Sequence, residues 1–271
     1  MTQRYDDMFK KLDAENRGAF IPFVVVGDPD LETSFEIIET LVDAGADALE
    51  LGVPFSDPVA DGPVIQASVV RALENGATPA GCFEVIAKVR AKYPQVPIGI
   101  LTYCNPVINR GLDVYFKGAA RAGIDSVLTA DMPVAEADAY VAAAAVNGVC
   151  PVFIAPPNAT GETTQKIARF TKGYTYVVTR KGVTGTDDTV QTGYSAVIDG
   201  LKQAGAPRPV VGFGISKPDH VAAAIAAGAA GAISGSAVVK IVEANIQNKP
   251  AMKAALTAFV KEMSAATPKP L

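Results

Sequence analysis

Residues 19–53 read AFIPFVVVGDPDLETSFEIIETLVDAGADALELGV. The opening AFIPFVVV and the closing DALELGV are short apolar runs without polar alternation, the pattern of strands buried on both faces in a parallel sheet. Between them, LETSFEIIETLVDAG places Phe35, Ile38, Leu41 and Val42 on one helical stripe with the charges opposite. Ala44-Gly45 ends that helix, because a glycine just past the last turn adopts the left-handed cap and the short return to the next strand. The stretch is therefore one strand–helix–strand unit.

The unit recurs to the end of the chain. Apolar runs return as PIGILTY, DSVLTAD, CPVFIAP, YTYVVT, PVVGFG and GAISGS, most of them about 25 to 35 residues after the one before. Ala122-Gly123, Ala204-Gly205 and Ala227-Gly228 repeat the helix-end punctuation, with Asn75-Gly76 and Asn147-Gly148 as variants. Eight such strands in 271 residues fit a closed (β/α)8 barrel better than an open doubly wound sheet. Residues 1–15 add an amphipathic helix, with Phe9 and Leu12 on one side, that packs on the barrel's exterior or lower end. No linker or low-complexity segment interrupts the chain, so 1–271 is expected to be a single domain.

Composition narrows the partners. The charge of -4 has no long basic or acidic run behind it, which argues against nucleic acid or an anionic membrane surface. No apolar stretch approaches the roughly 20 residues of a membrane span, and MTQRYDDMFKKLDAENRG lacks the apolar core of a signal peptide, so a cytoplasmic protein is expected. Cys82, Cys104 and Cys150 are odd in number, far apart and without a C-x-x-C pair; they read as small hydrophobes rather than as a disulfide or zinc framework.

Barrel chemistry sits at the C-terminal ends of the strands. After the second strand comes ELGVPFSDPVADGPVIQ, where Glu50 ends a strand and Asp57 and Asp61 lie in the following loop, three carboxylates converging on one rim. Glu50 is either a perturbed acid or a partner for Arg or Lys. Asp61 is either an acid or the cap of the helix that starts at Gly62-Pro63, while Asp57, beside Pro58, reads as a turn former. At the far end GFGIS and ISGSAVV offer Gly214, Gly235 and Ser236, where a phosphate can meet backbone amides at a helix start. The segment TRKGVTGTDDTVQTG at 179–193, rich in Gly and Thr, reads as a mobile lid. The only histidine, His220, reads as a solvated helix-face residue, which leaves no histidine metal site. Acid–base work then falls to a Glu/Asp pair, or else to a Schiff-base lysine, for which Lys181 is the one placed residue.

LELGVPFSDPVADGPVIQ and GFGIS, with PFVVVGDPD, LTYCNP, ADMP, GVTG and GAISGSAVVKIVE, resemble the tryptophan synthase α-subunit family from about Met8 to the C-terminal helix. The resemblance implies a lyase that splits indole-3-glycerol phosphate into indole and glyceraldehyde 3-phosphate by a retro-aldol step. It implies that Glu50 serves as acid to indole C3 and base to the glycerol hydroxyl, and that Asp61 meets the indole N–H. By the same resemblance the phosphate rests on Gly185, Gly214, Gly235 and Ser236, with the indole between Phe23, Leu101, Leu128, Ala130, Ile154, Tyr176 and Phe213 and Thr184 closing over Asp61. A β subunit in an α2β2 heterotetramer is the implied partner, with pyridoxal phosphate bound by that subunit and no cofactor or metal in this chain. Val64, Thr179 and Lys181 depart from the usual family pattern. Two other readings stay open: a different phosphate-binding barrel enzyme, an isomerase or Schiff-base aldolase, and a chain that mainly activates its partner.

Overall fold

A computed structural model describes residues 3–159, 161–178 and 194–270. Its strands are β1 (Ala19–Val25), β2 (Leu49–Gly52), β3 (Ile98–Thr102), β4 (Ser126–Thr129), β5 (Cys150–Val152), β6 (Ile154–Ala155), β7 (Thr175–Val178), β8 (Pro209–Gly212) and β9 (Gly231–Ser234). Each of the eight apolar runs supplies a strand, and CPVFIAP supplies two. Every pairing between them is parallel, in the order β5-β4-β3-β2-β1-β9-β8-β7-β6. The two ends of that order, β5 and β6, are consecutive in the chain across Phe153, whose carbonyl accepts from the Tyr176 amide at 3.2 Å. The sheet therefore closes into a (β/α)8 barrel, its fifth strand interrupted at one residue.

The closed sheet is hydrophobic on both sides, as the runs predicted: all seven residues of β1 and all four each of β2, β4, β7, β8 and β9 are buried. Helices form the outer layer. The helix Leu31–Asp43 starts where the Asp30 carboxylate accepts from the Thr33 amide and ends at Ala44. It turns Ser34, Ile37, Ile38 and Leu41 inward, while Phe35 and Val42 lie half-buried on the flank, so the stripe sits a fraction of a turn from the one read off the sequence. The six helix-end glycines, at 45, 76, 123, 148, 205 and 228, all have φ between 69° and 107°.

The first helix, Gln3–Ala14, closes the lower end, burying Tyr5, Met8, Phe9 and Leu12. The Tyr5 hydroxyl pairs with Ser126 Oγ at 2.9 Å, and Gly99 makes room for it, since a Cβ there would stand 2.7 Å from Ser126 Oγ and 3.1 Å from the Tyr5 hydroxyl. Beside it, buried Asp125 ties the corner together: Arg4 and Arg90 donate to its two oxygens at 2.8 and 2.6 Å, and the Ile98 amide donates at 2.8 Å.

Candidate active site

At the opposite end, the strand termini and the loops after them line a cavity that opens to solvent. Its walls are apolar: Phe23 from β1, Leu101 from β3, Ala130 after β4, Ile154 from β6, Tyr176 from β7 and Phe213 after β8. Gly52 and Gly212 leave space for the Phe23 and Tyr176 rings, because a Cβ on either would lie within 2.7 Å of the ring or its hydroxyl. Tyr176 and Phe213 pack edge to face, centroids 6.2 Å apart.

Two carboxylates break the apolar wall. Glu50 is not at a strand end; it is the second of the four residues of β2, level with Phe23 and Gly99, and only 1% exposed. Its Oε1 accepts from the Tyr174 hydroxyl at 2.7 Å, and among the described residues its Oε2 has no partner and no cation pairs with it. Burial raises its pKa to about 7 against the lowering effect of the Tyr174 hydrogen bond.

Asp61, 5% exposed, faces the same cavity and accepts from the Tyr103 hydroxyl at 2.8 Å. Burial lifts it to about 6, again offset by its tyrosine. It does not cap the next helix, Pro63–Glu74, whose N-cap is Gly62; its backbone carbonyl instead accepts from the Gln66 side chain. Asp57 does not join the pair: it is exposed on the loop and takes the Ser56 hydroxyl, as a turn former does.

The far wall is built of backbone. Gly214, Ile215 and Ser216 follow β8, and Gly235 caps the helix Ser236–Ala244, whose first residues reach the cavity. No Lys or Arg lines the cavity among the described residues, so an anion there would be held by amides and the positive end of a helix. Gly235 also spares Phe23, whose ring would stand 3.3 Å from a Cβ at that position.

Of the residues named from sequence, Phe23, Glu50, Asp61, Leu101, Ala130, Ile154, Tyr176, Phe213, Gly214, Gly235 and Ser236 surround this one cavity. Leu128 does not line it; the register partner of Leu101, it is buried in β4. Thr184, Gly185, Thr179, Lys181 and the whole lid segment lie outside the described residues, and Val64 is half-buried in the helix after Asp61. The sequence reading missed both tyrosines that hold the carboxylates. Tyr174 was within reach, since it stands two residues before Tyr176 on a strand and hence on the same face. Ile65, Ile215 and Ile233 were also missed as lining residues.

His220 is a correction. It is 5% exposed, not solvated, because a side chain in the first turn of a helix points back over the segment before it. That segment is the loop after β8.

A family model described as tryptophan synthase alpha chain matches residues 9–268. The chain is 54% identical over 264 residues to the tryptophan synthase alpha chain of Shewanella oneidensis, covering 97% of this chain and 95% of that one. It is 53% identical over 267 residues to that of Francisella tularensis, covering 98% and 99%. Among solved structures, the alpha subunit from Legionella pneumophila superposes with a TM-score of 0.88 at 28% identity, 98% of each chain being covered. A chain of the a2b2 complex from Pyrococcus furiosus superposes with a TM-score of 0.83 at 33% identity, covering 92% of this chain and 98% of that one.

Proposed function

The chain belongs to the tryptophan synthase alpha chain family and cleaves indole-3-glycerol phosphate in tryptophan biosynthesis, and on that premise we propose that Glu50 and Asp61 carry the cleavage. The observation that supports this most is that two buried acids face one cavity and that burial raises both, Glu50 to about 7 and Asp61 to about 6. Near neutral pH each lies close enough to its midpoint to exchange a proton, which general acid–base work requires.

Glu50, protonated, gives its proton to indole C3, which makes the ring cationic at nitrogen. Asp61, ionised, accepts the indole N–H and stabilises that charge in a site where few water dipoles compete. Glu50, now a carboxylate, takes the proton from the glycerol hydroxyl next to the ring. The carbon–carbon bond breaks, the new carbonyl is glyceraldehyde 3-phosphate, and the electron pair returns to the ring as indole. The proton balance closes on Glu50, and one acid serves both ends of the step.

The indole lies between Phe23, Leu101, Ala130, Ile154, Tyr176 and Phe213, and the phosphate lies on the amides of Gly214, Gly235 and Ser236. The pyridoxal phosphate of the enzyme belongs to the β subunit, and this chain needs no cofactor of its own. One relative's structure is of an a2b2 complex with mutual activation, and we propose the same assembly here, with indole passing to the partner. Among the described residues no helix is long and apolar enough to cross a membrane, which agrees with a cytoplasmic enzyme.

The test is indole release by the chain alone and with its β subunit. Glu50→Gln is expected to lose at least about 100-fold in release while still binding glycerol 3-phosphate. More than a tenth of wild-type turnover in that variant would sink the assignment. Indole release only in the presence of the β subunit would favour a chain that mainly activates its partner.

A further inference from the structure

The loop after β8 is held in an uncommon shape. Phe213 has φ 69° and Gly214 φ 71°, and for an aromatic residue the left-handed region is strained unless neighbours hold it there. Two buried side chains supply the hold by taking successive carbonyls. Ser234 Oγ donates to the Ile215 carbonyl at 2.6 Å, and His220 Nδ1 lies 2.8 Å from the Gly214 carbonyl.

The same Nδ1 also faces the Ser216 amide at 3.3 Å and the Ser216 hydroxyl at 3.4 Å. One nitrogen cannot serve both backbone groups, since a carbonyl needs a proton on Nδ1 and an amide needs a lone pair. The shorter contact decides: a bare Nδ1 at 2.8 Å from a carbonyl oxygen would set two lone pairs against each other, so Nδ1 carries the proton. Shifting that proton to Nε2 would release the Gly214 carbonyl and favour the Ser216 amide instead. Because the peptide unit is planar, releasing a carbonyl also turns the amide on the other side of the bond.

We propose that His220 is a positioning residue for the anion end of the cavity. In its Nδ1–H tautomer it ties the Gly214 carbonyl and so keeps the turn from Phe213 to Ser216 in the shape that receives the substrate's phosphate. The proposal rests on the reading that the phosphate binds there.

His220 is the only histidine in the chain, so a sample labelled with 15N-histidine gives one imidazole. The expected spectrum shows a protonated Nδ1 and a pyridine-type Nε2; the reverse pattern overturns the proposal without any variant. Kinetics on the complex with the β subunit supply the second arm. His220→Leu is expected to raise KM for indole-3-glycerol phosphate, and the inhibition constant of glycerol 3-phosphate, about tenfold, with kcat far less affected, as for a buried carbonyl left unpaired. His220→Asn, whose amide can take the place of Nδ1–H, restores most of that loss. Failure of glycerol 3-phosphate to compete in the wild type sinks the phosphate reading and this proposal with it. Competition in the wild type together with a wild-type KM in His220→Leu, or with Asn no better than Leu, sinks this proposal alone.

Discussion

Asp125 and Glu50 are equally buried, each 1% exposed, and stand one register step apart on the barrel, since Glu50 is level with Gly99 and Ser126 and Asp125 directly precedes Ser126. Asp125, tied to the first helix, has both oxygens filled by two arginines and a backbone amide. Glu50, on the cavity, has one tyrosine hydroxyl, and among the described residues its second oxygen has no partner and no cation pairs with it. Burial costs a charged group several kcal/mol wherever it occurs. The corner at Asp125 offsets that cost with ion pairs and becomes a fixed joint, whereas the cavity leaves it standing and so obtains an acid that changes state near neutrality. The same physics gives rigidity at one carboxylate and reactivity at the other.

The comparison breaks most visibly at Asp125. Asp125→Ala leaves Arg90, largely buried, without its counter-charge, and a loss of about 3–5 kcal/mol in unfolding free energy is expected by denaturant titration. A loss under about 1 kcal/mol would mean that the corner is not held by charge.

Glu50→Gln is expected to do the opposite. The folded protein keeps a proton on Glu50 up to about 7, while the unfolded chain releases it near the ordinary glutamate value of 4.5. Wild-type stability should therefore be greatest below about 4.5 as far as this group is concerned, and should fall by on the order of 3 kcal/mol as pH rises through about 7. The variant, with nothing to ionise, should lack that decline. Parallel stability curves for the two proteins between pH 5 and 8 would contradict the raised pKa.

A smaller effect sharpens the picture within the cavity. With Glu50 needed protonated and Asp61 ionised, kcat/KM should be bell-shaped, with limbs near 6 and 7. Tyr103→Phe removes the hydrogen bond that favours the charged Asp61, so the acid limb should move up by about half a unit to one unit while the other limb stays. Movement of the upper limb alone would reverse the two roles.

The frame of the barrel and the settings of its carboxylates also differ in how far sequence exposes them. The eight runs and the glycines that end the helices are local signals, and each one lies where its pattern says. Gly235 and Ser236 are legible for the same reason, since strand, turn and helix start are adjacent in the chain. The settings of the carboxylates are not local: Asp61 meets Tyr103 and Glu50 meets Tyr174, 42 and 124 residues away. The depth of Glu50 is legible after all, since the run DALELGV continues past it and β2 follows that run to Gly52. His220 misleads because a polar residue in a polar helix start looks solvated until the loop it points back to is known. Phe153 splits a run that is continuous in letters, because pairing passes from β4 on one side to β7 on the other at that residue.

The pairing of β1 with β9 sets a schedule for making the protein. Ala19 lies beside Gly231, so a strand that leaves the ribosome early waits for one made near the end. At about 5–20 residues per second, the interval is on the order of 10–40 seconds. Throughout it one edge of β1 presents unpaired amides and carbonyls flanked by apolar side chains, a template for any other extended chain nearby.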